Sequence, residues 1–208
     1  VLMASKVKVA LLSLGPDSWE WSQGVRGTGE CWSFIRWELQ GDAARFSLTE
    51  EEHVNVLLTS LRKHVRLSWQ NTQAILYDAT QVSDPESFPD HCGEHPVVLS
   101  ELMQQDSFSD VVSEAMRAMH NSIVGQGEAI VVFVCLTGQR LSVGLAAIFR
   151  TWLESYDTVE LQQQHLSKGK WGNLCGGDFE KCAECHGKGE HQEIMKSVRR
   201  DVVQALKR

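Results

Sequence analysis

The chain has 208 residues, of which 42% are hydrophobic and 23% charged, with a net charge of −7 and a pI of about 5.6. This composition fits one globular domain with appendages, and its acidic balance disfavours broad, non-specific nucleic-acid binding, which depends on a basic field. No apolar run approaches the roughly 20 residues of a membrane-spanning helix, and the first residues do not resemble a signal peptide.

The first part of the chain contains two strand patterns followed by a helix. Residues 6–14 and 31–39 have the apolar content of strands. Thr49 and Glu52, three residues apart, form a capping box that predicts a helix start. The helix has one apolar stripe at helical spacing, formed by Val54, Leu57, Leu58, Leu61 and Val65.

A third strand and a second helix are separated by a long loop. Residues 72–79 are predicted as a strand with Asp78 near its end, and residues 81–96 form a loop that contains three of the four prolines. The next helix is expected to begin near Ser107 and to end before Gly125.

The clearest unit of the sequence follows. Residues 128–135 form an apolar strand, residues 136–141 a short loop, residues 142–156 a helix that is apolar nearly all round, and residues 158–165 another strand. A strand–helix–strand crossover of this kind implies parallel strands.

These patterns predict an α/β fold with three layers and a mainly parallel sheet over residues 1–166. Residues 167–190 are rich in Gly, Lys and Cys, and cannot build a core of their own. Residues 191–208 form a final amphipathic helix with a basic end.

The loop between residues 135 and 143 is a candidate ligand site. Loops that leave a buried parallel strand and open a helix are the usual ligand position in such sheets, and the helix start favours an anion. Gly138 permits a close approach, Arg140 offers a cation, and Ser142 can cap the helix. A phosphatase-type cysteine would need Arg one residue later than Arg140, so catalysis by Cys135 is not expected, and a buried Cys135 in a tight turn is the simpler interpretation.

The same loop resembles a known family. Its sequence, Cys-Leu-Thr-Gly-Gln-Arg-Leu-Ser-Val, is similar to the Cys-Thr-Gly-Gly-Gln-His-Arg-Ser-Val motif of the RapZ C-terminal domain. Upstream, Asp78 resembles the Asp-x-Arg element of that family, and Asp84-Pro85 its Asp-Pro element. Downstream, His165-Leu166-Ser167, Trp171 and the cysteines resemble eukaryotic relatives with a C-terminal cysteine cluster. The similarity covers residues 76–185.

The resemblance implies a phosphosugar pocket in an RNA-binding adaptor. The residues that would line this pocket are Asp78, Thr137, Gly138, Gln139, Arg140, Ser142 and His165. The chain departs from the motif at three positions, because Arg140 replaces the His, Leu141 the Arg, and Thr80 the Arg of Asp-x-Arg. We therefore expect an anion pocket that has lost positive charge.

Three cysteines crowd into residues 175–185 and predict a metal site. Cys182 and Cys185 form a C-x-x-C turn in which both sulfurs can bind one ion, and Cys175 supplies a third thiolate. Ligation would stabilise a segment that lacks apolar residues, so we expect structural zinc in an intracellular, reducing compartment. A reduced, metal-free tail is the alternative.

A tetrahedral zinc site requires a fourth ligand. His165 is the first candidate, because it ends the preceding strand and recurs with the cysteines in the resembling sequences. His191 is the second on local spacing, and His186 is less attractive because it adjoins Cys185.

These features favour a non-catalytic binding or scaffold subunit of a larger assembly, with protein partners. The alternative is an adaptor that binds RNA or senses a phosphosugar, and an enzyme that acts on a phosphorylated substrate is the third hypothesis.

Overall fold

The structure is a computed structural model, and it describes residues 7–15, 35–40, 43–48, 74–135, 137–168, 171–186 and 190–205. The strands are β1 (Val7–Leu14), β2 (Ile35–Gln40), β3 (Ala43–Leu48), β4 (Ala74–Asp78), β5 (Glu128–Val134) and β6 (Val159–His165). The helices are α1 (Pro96–Met103), α2 (Asp106–Gln126), α3 (Leu141–Leu153), α4 (Ala183–His186) and α5 (Glu190–Ala205).

The main sheet has four parallel strands among the described residues, in the order β4-β5-β1-β6. The two central strands, β1 and β5, are nearly continuous apolar runs, as expected for strands that are covered on both faces. β6 alternates between half-buried and exposed residues, which fits its place at the end of this strand order. β2 and β3 pair separately as an antiparallel hairpin.

The described helices pack on one face of this sheet. The core there joins residues of β1 and β5, such as Leu11 and Phe133, to Met119 of α2, Phe149 of α3 and Val198 of α5. Side chains on the opposite face of the central strands are also 0–2% exposed, so both faces are covered. The mixed α/β fold and its parallel sheet are therefore confirmed, and the described elements make up two of the three predicted layers.

The structure refines the predicted elements in three places. The sequence placed Pro96 at the end of a loop, whereas it begins α1, where its missing N–H has no helical partner to lose. The strand predicted over 31–39 is described from Ile35 and belongs to the separate hairpin. The strands on either side of α3 are parallel but not adjacent, because β1 lies between them. The helix predicted from Thr49 lies outside the described residues.

The carboxyl ends of the four parallel strands meet at one edge. Three of the segments that leave this edge are described beyond their first residue: residues 79–95 after β4, residues 135 and 137–140 after β5, and residues 166–168 and 171–186 after β6. The four strands thus bring together parts of the chain that are distant in sequence. None of the described helices combines the length and the apolar character that crossing a membrane would require.

Candidate metal centre

Two of these segments meet above the edge of the sheet. We call residues 84–95 the His loop and residues 171–186 the knuckle. The N–H of Cys175 donates to the carbonyl of Asp90 at 2.7 Å, which joins the two segments directly. Cys175 adopts a left-handed conformation with φ of 56°, and the two glycines that follow it share this conformation. This turn reverses the chain, so that Cys175 can approach the C-x-x-C pair.

Four potential ligand atoms converge at this junction. The sulfurs of Cys175, Cys182 and Cys185 and a ring nitrogen of His91 lie within 4.8 Å of one another. Nδ1 of His91 is 3.4 Å from the Cys185 sulfur and 3.6 Å from each of the other two sulfurs. The sulfurs of Cys175 and Cys185 are 3.6 Å apart. The group can therefore hold a metal ion.

These separations match the edges of a small tetrahedron. Bonds of roughly 2.3 Å to sulfur and roughly 2.0 Å to nitrogen, at tetrahedral angles, place a sulfur about 3.6 Å from a nitrogen and about 3.8 Å from another sulfur. Four of the six separations lie within a few tenths of an ångström of those values. The other two, from the Cys182 sulfur to the sulfurs of Cys175 and Cys185, are within 4.8 Å.

Two of the thiols, those of Cys175 and Cys185, are poorly suited to ionise without a cation. Burial raises the pKa of Cys175 to about 12, and the neighbouring Cys185 adds to this effect, while the backbone of Cys92 opposes it. The pKa of Cys185 is raised as well, first by the adjacent Cys92 thiol and then by burial. A bound divalent cation reverses this preference, because it stabilises thiolates directly.

The second nitrogen of His91 is oriented by a carboxylate. Its Nε2 lies 3.3 Å from Oε2 of Glu184, a residue between the two cysteines of the C-x-x-C turn. A proton on Nε2 would face this carboxylate and leave the Nδ1 lone pair directed at the sulfurs. The knuckle thus supplies three thiols and also the carboxylate that faces the fourth ligand.

His95 lies close to the same carboxylate but is not suited to bind a second ion. Its Nδ1 accepts a hydrogen bond from the N–H of Val97 at 3.3 Å, so the proton of the neutral ring is on Nε2. That Nε2 lies 3.9 Å from Glu184 Oε2. Glu184 therefore lies near both histidines, and the His95 ring packs beside the His91 ring with centroids 4.8 Å apart.

Arg140 holds the His loop in place. Its guanidinium donates to the carboxylate of Asp84 at 2.8 Å. It also donates to four backbone carbonyls of the same loop, those of Pro85, Ser87, Phe88 and His91. All five N–H donors of the side chain are thereby used. Arg140 is 9% exposed, so it does not offer the free cation that the sequence suggested.

The turn between β5 and α3 occupies the predicted place at the sheet edge but is filled by protein. A Cβ on Gly138 would lie 2.3 Å from the nitrogen of Gly15 and 2.4 Å from the hydroxyl of Ser167. The indole N–H of Trp171 donates to the Gly138 carbonyl at 3.2 Å. Atoms of the chain itself therefore occupy the space beside Gly138 in which the sequence predicted a ligand.

The other residues of the predicted pocket also have structural partners. Asp78 accepts hydrogen bonds from the backbone and hydroxyl of Thr80. Ser142 does not cap α3 as expected; it accepts a hydrogen bond from the buried Cys135 thiol at 3.2 Å. The Gln139 carbonyl accepts from the N–H of Gly93. Thr137 is exposed.

His165, the predicted fourth ligand, lies apart from the sulfurs. Its Nδ1 is 2.7 Å from the Ser13 hydroxyl, and its Nε2 is 3.1 Å from Oε1 of Glu94. The ring packs against Trp171, with centroids 5.3 Å apart. His91 therefore replaces His165 as the candidate ligand. The side chain of His191 lies outside the described residues, and the ring of His186 packs against Phe179.

Two residues of this site, His91 and Cys92, were not predicted as its members, because the signals for them in the sequence are weak. His91 precedes a cysteine in a long loop, but its ligand role depends on a contact with residues 84 to 94 positions further along the chain. Cys92 seemed isolated, yet it is fully buried against the same cluster. Glu184, between the two cysteines of the C-x-x-C turn, was the residue that the sequence could most easily have indicated as a partner for a ligand histidine.

Comparison with known proteins identifies no relative: no family model, no curated protein and no solved structure matches the chain. The resemblance to the RapZ C-terminal domain therefore stays a prediction from the motif.

Proposed function

We propose that the chain is a non-catalytic binding protein in which a structural zinc ion, held by His91, Cys175, Cys182 and Cys185, fastens the knuckle to the His loop. The observation that carries this proposal is the convergence of three sulfurs and one imidazole nitrogen at tetrahedral spacing.

The donor set favours zinc. Three thiolates and one imidazole are typical of structural zinc sites, whereas calcium and magnesium prefer oxygen ligands. The sulfurs are also too close together for a polynuclear iron–sulfur cluster, since one ion fills the space between them. Four protein ligands leave no open position for an activated water, so the ion would stabilise structure.

The knuckle needs such a ligand because its apolar core is small. Trp171 and Leu174 are its buried large apolar residues, while most of its other side chains are partly or fully exposed. Ordering each residue costs roughly 1–2 kcal/mol of conformational entropy. Zinc ligation, worth on the order of 10 kcal/mol in small domains, can offset much of that cost.

A binding role is supported by Phe88, which lies on the His loop beside the centre. This bulky residue has a φ of 54°, a conformation that it rarely adopts, and its ring is 40% exposed. The ring stacks on His95 with centroids 4.2 Å apart. A strained, exposed aromatic side chain fixed by a rigid loop is suited to anchor a protein partner.

The zinc proposal is tested by the metal content of protein purified without chelator. We expect about one zinc ion per chain, and we expect Cys182→Ser to lose it. Cys135→Ala is the matched control, because this buried thiol is bonded to Ser142, outside the cluster, and should leave the zinc content unchanged. Zinc-free wild-type protein, or equal zinc in both variants, would contradict the proposal.

The binding role is tested by the size of the native complex in which the chain migrates. Phe88→Gly removes the ring while accepting the positive φ, so it should shrink the complex and leave the zinc content intact. A wild-type chain that migrates as a monomer in its native extract would argue against a scaffold subunit.

A further inference from the structure

The cluster contains more thiols than the metal needs. Cys92 follows the ligand His91 directly, is fully buried, and contacts the Cys185 thiol. Cys92 is therefore a fourth thiol beside the group, whereas the converging ligand atoms are those of His91, Cys175, Cys182 and Cys185. The sulfurs of Cys175 and Cys185 are already 3.6 Å apart. A disulfide requires about 2.05 Å, so a small movement suffices to join them.

We propose that this cluster is also a redox site, at which hydrogen peroxide joins Cys175 and Cys185 in a disulfide and releases the metal ion. The inference rests on the proposed zinc centre. The two cysteines have different roles because their exposure differs. Cys175 is partly exposed, so peroxide oxidises it first. Cys185 is 2% exposed, so it reacts with the oxidised Cys175 and not with peroxide.

The chemistry is a two-electron oxidation in two displacements. The Cys175 thiolate attacks one oxygen of hydrogen peroxide, the O–O bond breaks, and hydroxide leaves and is protonated to water. The Cys185 thiolate then attacks the sulfur of the resulting sulfenic acid, the S–O bond breaks, and a second hydroxide leaves as water. Two thiolates are oxidised, one peroxide is reduced to two waters, and two solvent protons are consumed.

The position of this disulfide determines its effect. Cys175 and Cys185 both belong to the knuckle, so a bond between them does not connect the knuckle to the His loop. His91 and Cys182 alone would remain as ligands, too few for a closed zinc site. Oxidation therefore removes the metal link between the two segments, whereas a bond from Cys92 to Cys185 would restore a covalent link between them.

The experiment treats the zinc-loaded full chain with hydrogen peroxide. It follows zinc release with a chromogenic chelator and maps disulfides by mass spectrometry of non-reduced peptides. We expect release and the Cys175–Cys185 disulfide to increase together, with one ion released for each disulfide, and thiol reductant with added zinc to reverse both. Cys92→Ala keeps all four proposed ligands and should give the same disulfide at the same rate.

Three outcomes would overturn the inference: zinc retained in fully oxidised protein, a main disulfide that includes Cys92 or Cys182, or release that requires Cys92. A zinc-free preparation would contradict the proposed function separately, because the disulfide can still be mapped in that protein. Cys135→Ala controls for oxidation of a buried thiol outside the cluster.

Discussion

The sheet core and the knuckle lie next to each other but are held together by different forces. In β1 and β5, apolar side chains are buried on both faces, and the sequence pattern alone is enough to specify them. In the knuckle, polar and charged residues prevail, and the buried contacts come from Trp171, Leu174 and a group of thiols. The two regions therefore differ in what is buried: apolar area on both faces of the central strands, and thiols beside two large apolar side chains in the knuckle.

The largest change in the free energy of unfolding is expected from a substitution in the sheet core. Phe133 is completely buried and packs against Tyr77 and Phe149. Phe133→Ala should lower the free energy of unfolding by about 3–5 kcal/mol, through lost burial and the cavity that remains. Chemical denaturation measures this change. The loss should be the same with and without a metal chelator, and a loss that disappears after chelation would show that the two regions are not independent.

A smaller loss of stability is expected from a substitution of Arg140, which lies where the two regions meet. Arg140→Ala leaves four loop carbonyls without their charged donor, so the free energy of unfolding should fall by on the order of 3 kcal/mol. Zinc affinity should fall as well, because the His loop presents His91. Competition with a chelator measures the affinity.

Arg140→Lys sharpens this test. Lysine keeps the charge but lacks the planar fork that reaches five acceptors, so it should recover only part of the stability. Full recovery by lysine would indicate that charge, and not the geometry of the guanidinium, holds the loop.

The next effect is a loss of metal affinity caused by a substitution in the knuckle, at the residue that faces His91. Glu184→Gln keeps the size of the side chain but removes the negative charge that faces Nε2 of His91. Outer-shell changes of this kind typically reduce metal affinity about 10- to 100-fold. Glu180→Gln is the matched control, since Glu180 pairs with Lys168 at the surface and should have no effect on affinity. Equal affinities for the two variants would contradict the orienting role.

The smallest effect is a pH dependence of folding stability, caused by Glu94 at the sheet edge near β6. Burial alone would raise the pKa of Glu94, but the hydrogen bond and charge of His165 outweigh it and lower the pKa below its ordinary value of 4.5. The folded state therefore favours the carboxylate. Its contribution to stability is fully present above the ordinary pKa and is lost as pH falls through the lower, folded value.

Unfolding measured across the acidic range, in wild type and Glu94→Gln, checks this sign. Both proteins should be treated with chelator beforehand, because thiolate ligands also take up protons in acid. The stability difference between them should shrink as the pH falls. A difference that grows in acid would show that the sign is wrong.

The contrast between core and edge also explains what the sequence could predict. Apolar runs predicted β1, β5 and α3 to within a few residues, because burial on both faces leaves a direct pattern in the chain. The C-x-x-C turn with Cys175 predicted the three thiols, since local spacing determines that geometry.

The fourth ligand and the pocket were harder to predict from the sequence, because they depend on which strands are neighbours in the sheet. His165 ends the preceding strand, but its ring packs against Trp171 and binds Glu94, while His91 comes from the segment after β4. The motif around Arg140 suggested an anion site, and local sequence could not reveal that the Asp84 carboxylate and four loop carbonyls already occupy every donor.

The separation of the ligands in the chain has a consequence for biosynthesis. His91 precedes Cys185 by 94 residues, and the segments that bear them follow the two outermost strands of the four-stranded sheet. During translation, the histidine leaves the ribosome long before the last thiol, and the parallel strands between them must pair before the two can meet. If the site takes up its proposed ion, binding follows the pairing of these strands, and we expect nascent chains stalled before Cys185 not to retain the ion at this site.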